Sequence, residues 1–336
     1  MENTSQLAAP AAGAQPWAGR WHRPQTRLGL LALLAVLACL AFMTVGVQTD
    51  WAFVIEHRGV KLLTMLVVAG AIGISTVVFQ TITHNTILTP SVMGLDALYL
   101  FLQAVLVLLL GASGVVAWGV LPKYLLEIVL MVFFSVLLMR WLFTGQASSL
   151  HLMLLVGMVG GIFFRSLTGF AMRMIDPNEF ASLQDRMFAN FNSIQLQLLW
   201  PSLLLMALGA GWIWRQRHVL DVLALGRDVA VNLGVAYQRQ VLQLLVVMAC
   251  LVAVSTALVG PVTFFGLLVS NMAYQWMGTR RHNWVLPAAV LWGCVLLLGG
   301  QVILEQVFAF NTALSIVVEF LGGLVFIYLL MRKGKT

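Results

Sequence analysis

Apolar residues fall along this chain in long unbroken runs. They show neither the three-and-four spacing of a surface helix nor the alternation of a half-buried strand. The runs lie at about 28–47, 60–82, 91–111, 119–143, 150–172, 194–214, 240–258, 262–277, 284–303 and 312–332, ten in all. All but one approach or exceed the roughly 20 residues a helix needs to cross a hydrocarbon core about 30 Å thick. Backbone groups in lipid have no water to bond, so such segments must be helices. The pattern predicts an all-α integral membrane protein with about ten transmembrane helices. The pair of runs around "GPVTFF" (260 to 265) is the hardest to delimit, because its second member is short.

The interruptions are as informative as the runs. Residues 80 to 91, "QTITHNTILTPS", carry four threonines and a proline but no formal charge. An ordinary loop on the inner side of a membrane holds Lys or Arg. Irregular, uncharged backbone at such a place is tolerated when protein or a water-filled cavity surrounds it. Two gaps are longer than a turn. The one from Arg173 to about Leu199 carries charges of both signs. The one at 215–239, "RQRHVLDVLALGRDVAVNLGVAYQR", spaces Val222, Leu223, Leu225, Val229, Ala230 and Leu233 by threes and fours. That spacing predicts one or two short amphipathic helices broken at Gly226 and Gly234, with a partner against the apolar face.

Composition agrees. Of 336 residues, 61% are hydrophobic and 9% charged, against about 25% charged in soluble domains. The net charge of +7 would suggest nucleic acid if the basic residues clustered on one soluble face. They occupy short gaps instead, and no nucleic-acid partner is expected. With the N-terminus inside, the inner gaps hold Arg20, Arg23, Arg27, Arg140, Arg215, Arg217, Arg227, Arg239, Arg280, Arg281, Arg332, Lys333 and Lys335. The outer gaps hold Arg58, Lys61, Lys123, Arg173 and Arg186. That asymmetry predicts both termini in the cytoplasm. Residues 1–27 read as a cytoplasmic tail and 28–336 as one transmembrane domain, its first run serving as an uncleaved signal anchor. Cys39, Cys250 and Cys294 sit inside apolar runs with no pairing or metal spacing and read as small buried hydrophobes.

Chemistry-bearing patterns are scarce. No Ser-His-Asp arrangement, metal-ligand cluster or dinucleotide fingerprint is present. The terminal "GKT" lacks the glycine a phosphate loop requires, since position 329 is Leu. No enzymatic activity, resident cofactor or metal site is expected, and any use of ATP belongs to another chain. Arg165 is the deepest charge in a span, and Glu305 and Glu319 lie near or within the last two, with no basic partner evident at depth. Gly157 and Gly161 form a small-xxx-small pair suited to close helix packing. His84, His151, His218 and His282 read as structural or solvated.

Four patches, in order, resemble the FecCD family of permeases, which serve ABC importers of ferric siderophores and vitamin B12. "AGAIGISTVVFQ" (69 to 80), "HNTILTP" (84 to 90) and "MGLD" (93 to 96) follow the family's glycine-rich second span, short turn and continuation. "RGVK" (58 to 61) stands at the start of that span. "LALGRDVAVNLGV" (223 to 235) is similar to its inner-loop segment. "GPVTFFGLLVSNMAYQWMGTRRHNWVLP" (260 to 287) follows its downstream signature. The chain departs from the pattern at Thr86 (proline in the family), Ile87 (leucine), Arg227 (glutamate), Ser270–Asn271 (Pro–His) and Gln275 (arginine). These changes resemble a subgroup that pairs two different permease chains in catechol- or mixed-type siderophore uptake.

The resemblance implies a type II ABC importer permease fold in the bacterial cytoplasmic (inner) membrane. It implies a second permease subunit forming a heterodimer, two ATP-binding subunits, a periplasmic or lipoprotein siderophore-binding protein, and a ferric siderophore as cargo. By position, Asn85, Ile87, Ser149 and Leu150 would form a cytoplasmic gate. Leu225, Gly226, Ala230, Leu233 and Gly234 would form the coupling segment for the ATPase. Arg58, Lys61 and Arg186 would meet the binding protein. A proton- or sodium-coupled carrier, which would place ionisable groups at the midplane, and a haem or cobalamin importer of the same fold are the competing readings.

Overall fold

A computed structural model describes residues 23–47, 50–143, 150–185, 187–192, 194–306 and 314–333. Among them the chain is helical throughout, without strands. In order, the helices are α1 (Pro24–Thr44), α2 (Trp51–Thr83), α3 (Leu95–Ala117), α4 (Val120–Phe143), α5 (Leu150–Met172), α6 (Pro177–Asp185), α7 (Leu196–Arg215), α8 (Arg217–Leu223), α9 (Arg227–Asn232), α10 (Tyr237–Val259), α11 (Phe265–Met277), α12 (His282–Gln306) and α13 (Leu314–Lys333). A 3₁₀ turn, Pro90–Met93, precedes α3.

By length and composition, seven of the described helices can cross a membrane: α1, α2, α4, α5, α7, α10 and α12. The protein is therefore a multi-pass, all-helical membrane protein. α3 keeps a shorter apolar stretch, Leu95–Gly111, because its backbone leaves helical geometry at Gly111 (φ 69°). α11 is only 13 residues long, bounded by the turn at Gly260 and the left-handed Gly278. The long polar gap at 173–199 contains α6. α1 begins at Pro24, inside the stretch expected to be a tail, because proline suits the first turn of a helix.

α2 is the axis of the bundle. Its residues from Met65 to Ile82 are almost continuously buried, against α7, α10, α11 and α12. Lipid tails are as apolar as Leu, so helices in a membrane associate through close packing more than through the hydrophobic effect. α2 and α12 show this reciprocally. A Cβ added to Gly73 would lie 3.2 Å from the Ala289 carbonyl, and one added to Gly293 would lie 2.9 Å from the Ala69 Cβ. α1 lies against α12 and turns Leu33, Val36, Leu37 and Leu40 outward, as a lipid-facing helix should.

Several buried polar groups inside the bundle are paired between helices. Tyr124 on α4 meets Ser202 on α7 at 2.7 Å. Gln103 on α3 donates to Glu127 on α4 at 2.7 Å, and Lys123 lies 3.5 Å from the same carboxylate. Lys123, one of the outer-gap charges, is thus held by a buried carboxylate one turn along α4. Glu127 and Asp96 are buried acids within the apolar runs.

Candidate gate, coupling ledge and outer polar network

The uncharged stretch after α2 turns back into the protein. His84 ends the helix in the left-handed conformation (φ 51°), and its backbone N–H still reaches the carbonyls of Gln80 and Thr81. The Asn85 carboxamide oxygen accepts the Ile87 N–H at 3.0 Å, an Asx turn. The Thr86 carbonyl accepts from Gln80 Nε2 at 2.9 Å and from Asn271 Nδ2 at 3.1 Å. Thr86 and Asn271 are two of the positions that depart from the family pattern, and here they are partners. Thr89, Pro90 and Met93 are buried beyond the turn. The far half of the irregular stretch is thus covered by protein, whereas His84, Asn85 and Ile87 at its start remain exposed.

The 3₁₀ turn rests on the glycines of α5. A Cβ on Gly157 would sit 3.0 Å from the Met93 Cα, and one on Gly161 would sit 3.2 Å from the Gly94 Cα. The small-xxx-small pair therefore serves close packing, and what it packs against is this turn. Asn85 and Ile87 project from the turn, Ile87 with 44% of its surface open. Leu150 is the first residue of α5. Ser149 lies outside the described residues.

The segment at 215–239 forms two short helices, α8 and α9. Gly226 separates them at φ 104°, a backbone conformation L side chains rarely adopt, and Gly234 follows α9 at φ 82°. The apolar residues divide between two faces. Leu220, Leu223 and Ala230 are buried against the bundle. Leu225 (62% exposed), Val229, Val231 and Leu233 (60% exposed) form an uncovered ledge. Ala230 thus seats the ledge and Leu225 and Leu233 present it. Arg217 stacks on Trp214 at 4.9 Å and donates to the Trp214 carbonyl, fixing where α8 leaves α7. Asp221 on α8 accepts from His282 at the start of α12, through the backbone N–H at 2.8 Å and through Nδ1 at 2.7 Å.

The other end of α2 carries a polar network. Arg58 donates to the carbonyls of Phe42 (2.6 Å) and Val45 (2.8 Å), which α1 leaves without helical partners, and to Glu305 at 3.3 Å. Gln301 joins Glu305 at 3.0 Å, and Lys61 donates to Asn192 at 3.1 Å. Two expectations change here. Glu305 has a basic partner, supplied from a residue 247 positions away. Arg58 is not a free rim charge, because α1's terminal carbonyls and Glu305 already engage it. Arg186 lies outside the described residues. Arg165 is exposed on α5. Among the described residues, no three His, Cys, Asp or Glu side chains gather as a metal-ligand set.

The geometry describes a helical membrane protein with a partly covered polar turn at the end of its central helix and an uncovered apolar ledge nearby. Comparison with known proteins agrees with it. The FecCD transport family matches residues 27–332. The petrobactin import system permease protein YclO of Bacillus subtilis (strain 168) is 41% identical over 314 residues, which cover 94% of this chain and 99% of that one. The petrobactin import system permease protein FatC of Bacillus anthracis is 35% identical, over 83% and 79% of the two chains. The ferric enterobactin transport system permease protein FepD of Escherichia coli (strain K12) is 26% identical, over 92% and 90%. Among solved structures, a transporter described as of the metal-chelate ABC type, in an inward-facing conformation, shares the fold. Its TM-score is 0.80 at 19% identity, covering 92% of this chain and 100% of that one.

Proposed function

Because this chain belongs to the FecCD transport family, the membrane permeases of ABC importers, we propose that it passes a ferric siderophore of the petrobactin kind across the bacterial cytoplasmic membrane. It performs no chemistry of its own, and ATP is hydrolysed by separate subunits. The observation that carries the cargo assignment is the 41% identity to a petrobactin permease along 94% of the chain.

In this reading ten helices cross the membrane and both termini face the cytoplasm, since α3, α11 and α13 complete the seven long spans. A second, different permease chain would complete the pathway. The ledge of Leu225, Val229, Val231 and Leu233 would receive the ATPase, and its exposed apolar surface beside a buried inner face supports that role. Asn85 and Ile87, with Ser149 and Leu150 of the next turn, would narrow the inner mouth. Lys61 and Arg186, with Arg58 behind them, would meet the binding protein on the outer side. ATP binding would favour one of two states of the permease pair, and hydrolysis the other.

The test is uptake of ⁵⁵Fe-petrobactin and ⁵⁵Fe-enterobactin by a strain deleted for this chain. Uptake of ⁵⁵Fe-petrobactin should vanish and return on complementation. Uptake that persists without any ATPase subunit and collapses with a protonophore would assign the chain to ion-coupled carriers instead.

A further inference from the structure

Between the coupling ledge and the gate lies a hydrogen-bonded path that the transport reading has not used. Asp221 sits on α8, one-third exposed. Its Oδ1 accepts both the backbone N–H and the ring Nδ1–H of His282, at 2.8 and 2.7 Å, so it caps the start of α12 from another helix. A carboxylate accepts only, which places the imidazole proton on Nδ1. The ring's other nitrogen, Nε2, lies 2.7 Å from the Thr81 hydroxyl. Thr81 belongs to the last turn of α2, where its hydroxyl oxygen also lies 2.8 Å from the Val77 carbonyl, so its one proton is shared between that carbonyl and the unprotonated Nε2. His282 is 1% exposed, so its ring is shielded from bulk water.

The same residues stand close to the gate turn and to the ledge. Thr81 stands three positions before His84, the left-handed residue at which α2 gives way to the gate turn. Asp221 stands five positions before Gly226, which separates α8 from α9. A small polar cavity of about 30 Å³ lies against the path, lined by Gln80, Thr81, His84, Thr86, Ala224, Tyr274, Arg280 and His282. It brings the end of α8, at Ala224, to the rim of the gate turn. Side-chain hydrogen bonds inside a protein of low dielectric are stiffer than contacts across apolar surface. α8 also packs directly on α2 and α12, but this bonded path is the one that ends in the last turn of α2, just before His84.

We propose that Asp221, His282 and Thr81 form a strut that transmits movement of the coupling ledge to the gate, with His282 as its positioning residue. The proposal rests on the ATPase-driven reading above. It assigns a role to a histidine that is buried away from the ledge. Loss of the strut should leave the ATPase bound but disconnect its cycle from the gate. Coupling between sites of this kind commonly amounts to about 5- to 150-fold in the response of one site to the other.

The test uses the importer assembled with its own ATPase, second permease and binding-protein subunits in nanodiscs. Cys39, Cys250 and Cys294 are replaced by Ala and Ile87→Cys is introduced, so that maleimide labelling reports gate opening. In the parent chain, ATP with vanadate should change the labelling rate. Thr81→Val removes the hydroxyl at nearly constant shape. His282→Asn still reaches Asp221 but not Thr81. Both variants should retain the ATPase on purification, lose the nucleotide-dependent change in labelling, and take up ⁵⁵Fe-petrobactin about tenfold more slowly. A nucleotide response surviving in both variants would overturn the strut. If the ATPase neither co-purifies with the parent chain nor alters its labelling, the transport reading fails first, and the strut with it.

Discussion

Gly94 and Gly161 are in backbone-to-backbone contact. A Cβ on Gly94 would lie 2.9 Å from the Gly161 Cα, and one on Gly161 would lie 3.2 Å from the Gly94 Cα. Gly94 also holds φ 78°, so an added side chain there is strained by its own backbone before it meets α5. Gly94→Ala should therefore destabilise the protein by about 2–4 kcal/mol, combining left-handed strain with overpacking. Gly211→Ala, in α7 with nothing within 4 Å of the new carbon, should be neutral or stabilising by about 0.5 kcal/mol. Thermal unfolding in detergent, followed by intrinsic fluorescence, compares the two. Equal midpoints would mean that the turn does not depend on this contact.

Arg58 and Glu305 give a second test. Their side chains are 18% and 8% exposed. Removing one partner of a mostly buried pair leaves the other uncompensated, at a cost of about 3 kcal/mol, whereas replacing both by apolar residues is nearly neutral. Arg58→Ala should lower the unfolding midpoint clearly, and Arg58→Met with Glu305→Leu should recover only the part due to the uncompensated carboxylate, because the Phe42 and Val45 carbonyls still lack their donor. The same variants separate structure from docking. If Arg58 only braces α1 and α12, binding-protein affinity measured on the folded double variant stays at the parent level. If it also meets that protein, affinity falls there too.

How far the sequence carried can be followed residue by residue. The helical class, the break at Gly226 and the partial covering of the stretch after α2 were readable, because each rests on local rules. Charge in lipid needs a partner, a left-handed turn favours glycine, and irregular backbone needs cover. The glycine pair at 157 and 161 was readable as a packing surface, but its target was not, since nothing local in α5 points to Gly94. The partners of Arg58 and His282 were hidden for the same reason. Glu305 and Asp221 lie 247 and 61 positions away, and single-sequence periodicity has no term for such distances. Asp96 and Glu127 give no local signal of burial, because each stands alone within an apolar run that otherwise reads as lipid-facing.

The ledge predicts a clean separation between assembly and insertion. Leu225→Asp or Leu233→Asp places a charge on a surface that is 62% or 60% exposed in this chain, so folding should change by less than about 0.5 kcal/mol. The same charge buried under a partner ATPase is costly. Co-purification of the ATPase should fall by at least about tenfold for either variant, since a penalty of 1.4 kcal/mol already suffices. Membrane yield should stay at the parent level. Undiminished co-purification would move the ATPase contact elsewhere on the chain.

The gate turn supports the narrowest prediction. Asn85 acts in two ways that substitution can separate. Its carboxamide oxygen closes the Asx turn onto the Ile87 N–H, and its exposed body lies at the candidate inner mouth. Asn85→Asp keeps the accepting oxygen and nearly the same shape, so the turn should hold and transport should fall only through the added charge. Asn85→Leu keeps the bulk but leaves the Ile87 N–H without its partner, at a cost of about 1 kcal/mol. Ile87→Arg leaves the turn's bonds intact and adds a long cation where 44% of the side chain is open. A gate role requires Ile87→Arg to block or leak ⁵⁵Fe-petrobactin in vesicles while the unfolding midpoint stays unchanged. A structural role alone requires Asn85→Leu to lower the midpoint and Ile87→Arg to transport normally. Measuring midpoint and uptake on all three variants decides between the two.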